Sequence, residues 1–483
     1  MNVATIAIGI DVATAHLRAV ALDPDSGSLL VGPVEVSLPA PMRESGARVS
    51  QSPEYAQAAR KALSALVDAL GTRARCVGAI CVTATSGTLV PCDGAGRPLG
   101  DALMYNDERA TADVSEAVRT LVPDTPHQSV GRLWWLARNT PAVKILSPAD
   151  VILADLAGGI VLMADNSHHL KSAVNPLNLT WPDQLFSALD IPPSVLPGLA
   201  NAGSTLGVLA STPASTLGLQ PGVALVAGMT DGCTSQISTG AMRPGDTVGV
   251  LGTTLVLKAV SACQVIDTSR GVYSHLSPDG HFLPGGASNV GVGSLSTIEG
   301  LHDDETLHRF VDIASRAEPA GIAHYPLVGV GERFPFSNKE AKALSSAVAT
   351  SPANRVRAVI EGVCFVERLG LDILGQLGAP SLRHHVSGGA SKSRGWNKLR
   401  ATILGREIFL PAHTDSAIGA ALIACATANG ESLHDISQAL LPTRRTIEPD
   451  TKLVQRLDSN YREFLSLLHS AGYVKAQPGD NLT

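Results

Sequence analysis

The sequence is poor in aromatic residues, in charged residues and in long apolar runs. Phe, Trp and Tyr make up 4% of its 483 residues and charged residues 17%, and the formal net charge is -6 with no basic run. Binding to nucleic acid or to an anionic membrane needs a basic surface, so neither partner is expected. The most apolar later stretch, residues 151–163, contains Asp155 and is too short to span a bilayer. No membrane segment is predicted.

Cysteine patterns that indicate a metal or a disulfide framework are missing as well. The seven cysteines are scattered, odd in number and without Cys-x-x-Cys spacing, which favours reduced core thiols. The pairs His168-His169 and His384-His385 are interpreted as ordinary side chains, because adjacent residues point apart and no carboxylate lies at ligand spacing. The N-terminus lacks the positive start of a signal peptide, so we expect a cytoplasmic protein.

What the sequence does have is enough apolar material for two cores. Hydrophobic residues make up 45% of the chain, which also contains 46 glycines. A length of 483 residues exceeds what one core usually holds. We therefore expect an α/β protein of two domains.

A repeat separated by 240 positions links the two halves. Residues 9–20 and 249–260 align without a gap, and each reads as an apolar strand, a turn of small and hydroxyl residues, and a second apolar strand. Backbone N–H groups and a Thr hydroxyl in such turns suit phosphate oxygens. Asp11 corresponds to Leu251, so only the first hairpin offers a carboxylate to a metal ion or its waters. A coincidental match of two ordinary hairpins is the alternative.

Two loops follow in the first half. Ser52-Pro53 predicts the start of a helix that ends at Gly71, and residues 77–84 predict a strand. Ser86 follows that strand, where ligands gather in α/β sheets, although a plain turn explains a Ser-Gly pair equally well. The segment 103–109 mixes carboxylates, an amide and a guanidinium, which either read sugar hydroxyls or form a solvated helix start.

Two further strand ends carry candidate chemistry. Asp231 follows an apolar strand, where a carboxylate can accept the proton of a bound alcohol; the alternative is an Asx-turn that caps the next helix. Residues 386–393 combine a strand, the Gly388-Gly389 turn and a helix start, which suits a nucleotide, although a plain loop would look the same. The helix expected from Ser416 to Ala426 is interpreted as structural.

Taken in order, these motifs resemble the FGGY carbohydrate kinases of the actin, hexokinase and Hsp70 superfold. The D-ribulose kinase branch, once described as xylulose-kinase-like, is the most similar. The resemblance rests on the hairpins and on Ser86-Gly87, Asp107-x-Arg109, Asp231, Gly252-Thr253-Thr254, Gly331 to Pro335, Gly388-Gly389 with Lys392, and Asp415 to Ala421. Residues 85–88, 105–106, 271–275 and 285–289 carry the likeness to the branch.

The resemblance implies an α/β fold of two ribonuclease-H-like domains, 1–240 and 241–475, with a cleft between them that binds ATP and sugar. It implies that Asp231 is the general base and, with Asp11, is associated with Mg2+. Sugar binding is implied for Asp11, Ser86, Asp107 and Asp231. Nucleotide binding is implied for Thr14, Gly252, Thr253, Thr254, Gly388, Gly389 and Lys392. A small-molecule sugar and no macromolecular partner are expected, with a monomer or homodimer.

The expected reaction is phosphorylation of D-ribulose to D-ribulose 5-phosphate by ATP. A kinase for another ketose or polyol, such as D-xylulose, is the alternative within the class; Tyr105-Asn106, where xylulose kinases usually carry Trp-Met, favours ribulose. The family usually has glycine where this chain has Ala13 and Ala390, and a methyl group there can crowd a nucleotide or disfavour positive φ. A sugar-binding protein with weak or lost turnover is therefore the second alternative.

Overall fold

The computed structural model describes residues 5–44, 47–298, 311–441 and 445–475. Residues 1–4, which entered the prediction that no signal peptide is present, lie outside this range. Within the described residues, no helix combines the length and the apolar character that a membrane crossing requires.

The strands of the described residues are short and distributed along the chain. They are β1 Ile6–Val12, β2 His16–Leu22, β3 Leu29–Ser37, β4 Met42–Glu44, β5 Arg48–Gln51, β6 Val77–Ala84, β7 Val90–Cys92, β8 Ala102–Leu103, β9 Lys144–Leu146, β10 Ala164–Asp165, β11 Leu199–Ala200, β12 Thr205–Val208, β13 Ala224–Val226, β14 Asp246–Leu251, β15 Leu255–Ala259, β16 Tyr273–Leu276, β17 Phe282–Ala287, β18 His324–Tyr325, β19 Leu344–Ser345, β20 Arg383–Ser387, β21 Ile408–Leu410 and β22 Arg445–Ile447.

The α-helices of the described residues alternate with these strands. They are α1 Tyr55–Leu70, α2 Thr111–Leu121, α3 Val130–Asn139, α4 Pro148–Leu156, α5 Asn166–His169, α6 Asp183–Ala188, α7 Ser211–Leu217, α8 Asp231–Ser238, α9 Pro352–Gln376, α10 Arg394–Leu404, α11 Ser416–Asn429, α12 Leu433–Leu440 and α13 Thr451–Ser470. The predicted end of the first helix at Gly71 and the predicted strand 77–84 are confirmed by α1 and β6. The predicted start at Ser52-Pro53 is wrong, because α1 begins at Tyr55 with Glu54 at its N-cap.

The chain divides into two compact units, each of which has its own sheet. The first unit comprises residues 1–242, 275–281 and 413–442, and the second comprises 243–274, 282–412 and 443–483. The first sheet has the order β12-β13-β6-β1-β2-β3, and the second has the order β16-β17-β15-β14-β20-β21-β22. In both, the first strand of a hairpin lies inside the sheet, antiparallel to its hairpin partner and parallel to a later strand.

Each unit has a separate apolar core. The core of the first unit surrounds β1, β6 and α1 and includes Ile8, Leu63 and Ile80, which are all fully buried. In the second unit α9 packs into a core that includes Phe365 and Phe464, whose ring centroids lie 5.5 Å apart. The predicted two-domain α/β fold is confirmed.

The repeat is real as a pair of hairpins, but its gapless alignment is wrong in the return strand. Asp11 pairs with Arg18 in the first hairpin, whereas Leu251 pairs with Leu255 in the second. The turn of the second hairpin is shorter, so its return strand is displaced by three residues relative to the alignment. The match of Arg18 with Lys258 is therefore one of residue type and not of position in the sheet.

The units also differ from the predicted division at residues 240/241, because residues 413–442 belong to the first unit. Helix α11 packs closely on β1 and α8. A Cβ atom on Gly9 would lie 1.9 Å from the carbonyl oxygen of Ala417, and one on Gly419 would lie 1.9 Å from that of Thr234. The small residues of α11 therefore have the packing role that the sequence indicated, but in the first unit.

Candidate active site

Asp11 lies at the end of β1, with 4% of its surface exposed. Burial, together with the nearby carboxylates of Asp231 and Asp415, raises the pKa of Asp11 to about 8, and the Arg18 guanidinium opposes the shift. Its Oδ1 atom is buried and has no hydrogen-bond partner among the described residues. A buried carboxylate oxygen without a partner is costly in the protein alone and suits a cation. This arrangement fits a divalent metal ion.

Asp231 begins α8 directly after β13. Its Oδ1 atom accepts a hydrogen bond of 2.6 Å from the N–H of Gly232, and its main-chain oxygen accepts one of 3.0 Å from the Ser416 hydroxyl. The bond reaches only the next residue, and Thr230 rather than Asp231 occupies the N-cap position of α8, so the alternative of an Asx-turn that caps this helix is wrong. Asp231 lies close enough to Asp11 to raise that residue's pKa. The role of Asp231 as general base stays a prediction.

Asp415 completes the carboxylate cluster and was not singled out as a site residue from the sequence. It caps α11, since its Oδ1 atom accepts a hydrogen bond of 2.8 Å from the N–H of Ala417. Its Oδ2 atom lies 4.0 Å from Nη1 of Arg18. An Asp before a helix usually serves only as a cap, so nothing in the local pattern distinguishes this one.

Two buried polar groups lie at the turn after β6, one from the turn itself and one from helix α3. The Ser86 hydroxyl oxygen is buried and has no partner within the described part of the chain, and the same holds for Nη2 of Arg132. Nε of Arg132 donates a 3.0 Å hydrogen bond to the carbonyl oxygen of Gly87, and burial lowers the pKa of this guanidinium to about 10. The structure thus adds Arg132, which sequence reasoning missed because an arginine in the first turn of a helix, here α3, carries no signal of its own.

Asp107 is fully buried, and its carboxylate orders its own loop. Oδ2 accepts a hydrogen bond of 2.6 Å from the N–H of Val49, and Oδ1 accepts one of 3.0 Å from the N–H of Arg109. The main-chain oxygen of Asp107 accepts a further bond from Nη1 of Arg132. Arg132 therefore connects the Ser86 turn with the loop of residues 103–109, and sugar binding by Asp107 stays a prediction.

The two alanines that replace family glycines do not strain the backbone. Among the described non-glycine residues, those with positive φ are Ala47, Ala110, Ala173, Leu179 and Asp190. Neither Ala13 nor Ala390 is among them, and Ala390 is buried in the core of its unit. Thr14 lies in the turn of the first hairpin, where its main-chain oxygen accepts a 2.7 Å hydrogen bond from Gln51.

The turn of the second hairpin is supported by the segment that follows β17. The N–H of Val292 donates a 2.8 Å hydrogen bond to the carbonyl oxygen of Gly252, and the N–H of Gly293 donates one of 3.0 Å to that of Thr253. Thr253 is exposed, and Thr254 is partly exposed. These two hydrogen bonds hold the predicted phosphate turn, residues 252–254, where it joins β14 to β15.

The Gly388-Gly389 turn joins β20 to the start of α10, as predicted. Gly388 has φ +84°, and a Cβ atom there would lie 2.5 Å from the carbonyl oxygen of Leu251; at Gly389 it would meet no described atom within 4 Å. The exposed Lys392 lies beside a cavity of about 530 Å³ that is also lined by Asn397 and Arg445. An open glycine beside a cavity is suitable for a flat ligand.

The buried histidines have carboxylate partners, which corrects the statement that no carboxylate lies at ligand spacing. Nε2 of His384 lies 3.1 Å from Oε1 of Glu367, which also pairs with Arg400. Nδ1 of His168 lies 2.5 Å from Oδ2 of Asp165. The spacing argument failed for His168 because Asp165, three residues earlier, caps α5, and its carboxylate contacts the imidazole across the first turn of that helix.

A metal centre of protein ligands alone is not found in the described ranges, where no three or more His, Cys, Asp or Glu side chains are grouped to hold an ion. All seven cysteines are described as free thiols; five are buried, as expected of core thiols, whereas Cys76 is partly exposed and Cys263 is exposed.

The comparison with known proteins identifies the family. Residues 6–238 match the FGGY family of carbohydrate kinases, N-terminal domain, and residues 203–428 match the C-terminal domain of that family. The chain therefore belongs to the FGGY family of carbohydrate kinases. It is a sugar kinase, as the enzyme prediction stated.

Curated relatives and solved structures agree with this assignment. The chain is 25% identical to a xylulose kinase of Escherichia coli K12, covering 92% of this chain and 95% of the relative. It is 23% identical to a xylulose kinase of Staphylococcus epidermidis, with 87% of both covered. The structure of a xyloylose kinase from Brucella ovis superposes with a TM-score of 0.88 at 23% identity, covering 97% of this chain and 99% of that one. A gluconokinase and a glycerol kinase are also among the relatives.

Proposed function

We propose that the protein transfers the γ-phosphoryl group of ATP to the terminal hydroxyl of a pentulose, with D-ribulose as the predicted substrate. The observation that carries the proposal is the cluster of the buried Asp11 with the partly exposed Asp231 and Asp415, in which Asp11 has an unpartnered oxygen among the described residues. A sugar kinase needs a carboxylate to accept the hydroxyl proton and another to hold a magnesium ion. The cluster supplies both.

Asp231 is the proposed general base. As the sugar oxygen bonds to the γ-phosphorus, the bond from phosphorus to the bridging oxygen of ADP breaks and the hydroxyl proton passes to the Asp231 carboxylate. The hydrogen bond from Gly232 fixes the orientation of this carboxylate at the start of α8. Such fixed positioning supplies much of the rate enhancement in phosphoryl transfer, where the protein does little covalent chemistry.

Asp11 is the proposed magnesium-associated carboxylate. Mg2+ keeps several waters and is usually held by one or two carboxylates together with substrate phosphates, which agrees with a cluster that has no complete set of protein ligands within the described residues. When bound, the ion neutralises charge on the transferring group. The raised pKa of Asp11 reflects burial first and then the two neighbouring carboxylates, whose repulsion a cation at this position would relieve.

The proposed nucleotide residues lie on turns. Thr14 is on the first hairpin, and Gly252, Thr253 and Thr254 are on the second, where backbone N–H groups and hydroxyls suit phosphate oxygens. Gly388, Gly389 and Lys392 are proposed to bind the adenosine part. Open space at Gly389 and the adjoining cavity support this role.

The proposed sugar residues are Ser86, Asp107 and Arg132. The Ser86 hydroxyl and Nη2 of Arg132 are buried, and neither has a partner in the described residues, so a polyol would satisfy both. Tyr105 and Asn106 favour D-ribulose. D-Xylulose is the second candidate, because several relatives are named xylulose kinases.

The test is ADP formation by purified protein with Mg-ATP and a panel of D-ribulose, D-xylulose, L-ribulose, ribitol, erythritol, gluconate and glycerol. Saturable turnover of D-ribulose that is lost in Asp231→Asn, with ATP binding retained, would support reaction and base together. Preference for D-xylulose would keep the kinase and refute the ribulose prediction. No turnover of any sugar would favour the alternative of a sugar-binding protein. Wild-type-like turnover by Asp231→Asn would refute the base assignment.

A further inference from the structure

Three consecutive buried side chains of the first unit contact different partners from one short helix. Helix α5 contains Ser167, His168 and His169, each about 1% exposed, and Asp165 caps it. Ser167 and His168 reach the ends of β13 and β6, whereas His169 pairs with Asp150. The strand ends concerned are those that lead into Asp231 and Ser86.

His168 holds the end of β6. The N–H of Ala84, two residues before Ser86, donates a 2.9 Å hydrogen bond to Nε2 of His168. Because a backbone N–H can only donate, Nε2 is the acceptor, and the ring proton lies on Nδ1, which donates to Oδ2 of Asp165. Asp165 therefore selects the tautomer that can hold Ala84.

Ser167 holds the end of β13. The N–H of Thr230, the residue before Asp231, donates a 3.2 Å hydrogen bond to the Ser167 hydroxyl oxygen, which lies 2.9 Å from Nδ1 of His275. Ala84 and Thr230 form a parallel bridge, so the two N–H groups belong to neighbouring strand ends. One rigid turn thus fixes both ends relative to each other.

We propose that Ser167 and His168 are positioning residues with separate effects on the reaction. His168, through Ala84, sets the sugar-binding turn that contains Ser86, and Ser167, through Thr230, sets the base Asp231. This inference rests on the proposed function. It predicts that substitution of His168 changes mainly the KM for the sugar, whereas substitution of the adjacent Ser167 changes mainly kcat. A general loss of stability would not divide the two effects in this way.

The test uses matched variants and the sugar with the highest turnover. His168→Asn keeps the donor to Asp165 but has no atom at the Nε2 position, and is expected to raise sugar KM on the order of ten-fold with little change in kcat. His168→Gln replaces the Nε2 acceptor and should restore KM. Ser167→Ala should lower kcat on the order of ten-fold with little change in KM, and Ser167→Thr should restore it.

His169→Asn is the control. It removes a buried histidine–aspartate hydrogen bond of the same kind, one residue away, without touching either strand end. It should lower Tm and leave KM and kcat unchanged. If the variants at 167 and 168 lower activity only in proportion to their loss of Tm, or if His168→Gln behaves like His168→Asn, the proposal is wrong.

A second measurement does not depend on turnover. Amide hydrogen exchange in peptides covering residues 80–88 and 226–233 should show protection at Ala84 lost in His168→Asn and kept in His168→Gln, and protection at Thr230 lost in Ser167→Ala. If the wild-type protein phosphorylates no sugar, the proposed function fails, and hydrogen exchange alone decides whether the two residues hold the strand ends. Unchanged protection in all variants would refute the inference directly.

Discussion

Replacing Asp11 by Asn is expected to stabilise the first unit while it abolishes phosphoryl transfer. Burial and two neighbouring carboxylates raise the pKa of Asp11 from its ordinary value of 3.8 to about 8. Asn has nearly the same shape and no charge, so it removes the repulsion and keeps the packing. Site residues commonly trade stability for function in this way.

The sign of the pH dependence follows from proton binding. Between pH 3.8 and about 8 the folded state keeps the Asp11 proton that the unfolded state releases. Folding stability therefore falls by up to ~1.4 kcal/mol per pH unit as the pH rises through this interval. The full shift corresponds to at most ~6 kcal/mol, and structural relaxation and water entry reduce such penalties, so we expect ~3 kcal/mol at pH 8. For a domain of this size that is a Tm difference of roughly 6–12 °C.

The assay is thermal unfolding of wild type and Asp11→Asn from pH 5 to pH 8.5 without magnesium. The exposed Asp68→Asn variant is the control for the change of residue type, and should show a pH-independent difference. The stability gained by Asp11→Asn should grow with pH up to about 8 and then level off. A gap that is independent of pH, or a less stable variant at pH 8, would refute the burial and repulsion described for Asp11.

Four other substitutions test the sugar site, the core of the second unit and the Gly388-Gly389 turn. Arg132→Gln should raise sugar KM by roughly ten-fold or more and leave the KM for ATP unchanged, since it removes a guanidinium that joins both sugar loops; steady-state kinetics decide this. Arg400→Leu should destabilise the second unit by ~3–5 kcal/mol in denaturant unfolding, because it removes the cationic partner of the buried Glu367 and leaves that carboxylate the contact with His384. Burial raises the pKa of Glu367, but the charge of Arg400 outweighs it and lowers that pKa to about 2. Because this pKa lies below that of the unfolded state, the stability from the pair is fully present above about pH 4.5 and is lost as the pH falls through about 2. A variant as stable as wild type at pH 7 would contradict the role of Arg400. Gly388→Ala should lower Tm because of its positive φ and close backbone contact, whereas Gly389→Ala should keep Tm and weaken ATP binding in calorimetry.

Local sequence patterns were sufficient to predict the elements that depend on nearby residues. The helix that ends at Gly71 and the strand 77–84 were recognisable because apolar periodicity and chain-breaking residues act over a few positions. The two hairpins were found for the same reason. Their different register was not predictable, since it depends on turn length and strand pairing rather than on residue type.

The candidate site could be predicted only where a residue carries its own local signal. Asp11, Ser86 and Asp231 each follow a strand, which marks them in the sequence. Asp415 and Arg132 carry no such signal, because a helix cap and an arginine in the first turn of a helix are ordinary in isolation.

The sequence by itself determined the α/β class, the two hairpins and the carboxylates at the strand ends, because these follow from local patterns. Only the tertiary structure decided that α11 packs on β1 and so brings Asp415 to Asp11, and that α5 holds the ends of β6 and β13. Both results depend on contacts between residues far apart in the chain. Such contacts leave no periodic pattern in the sequence of either partner.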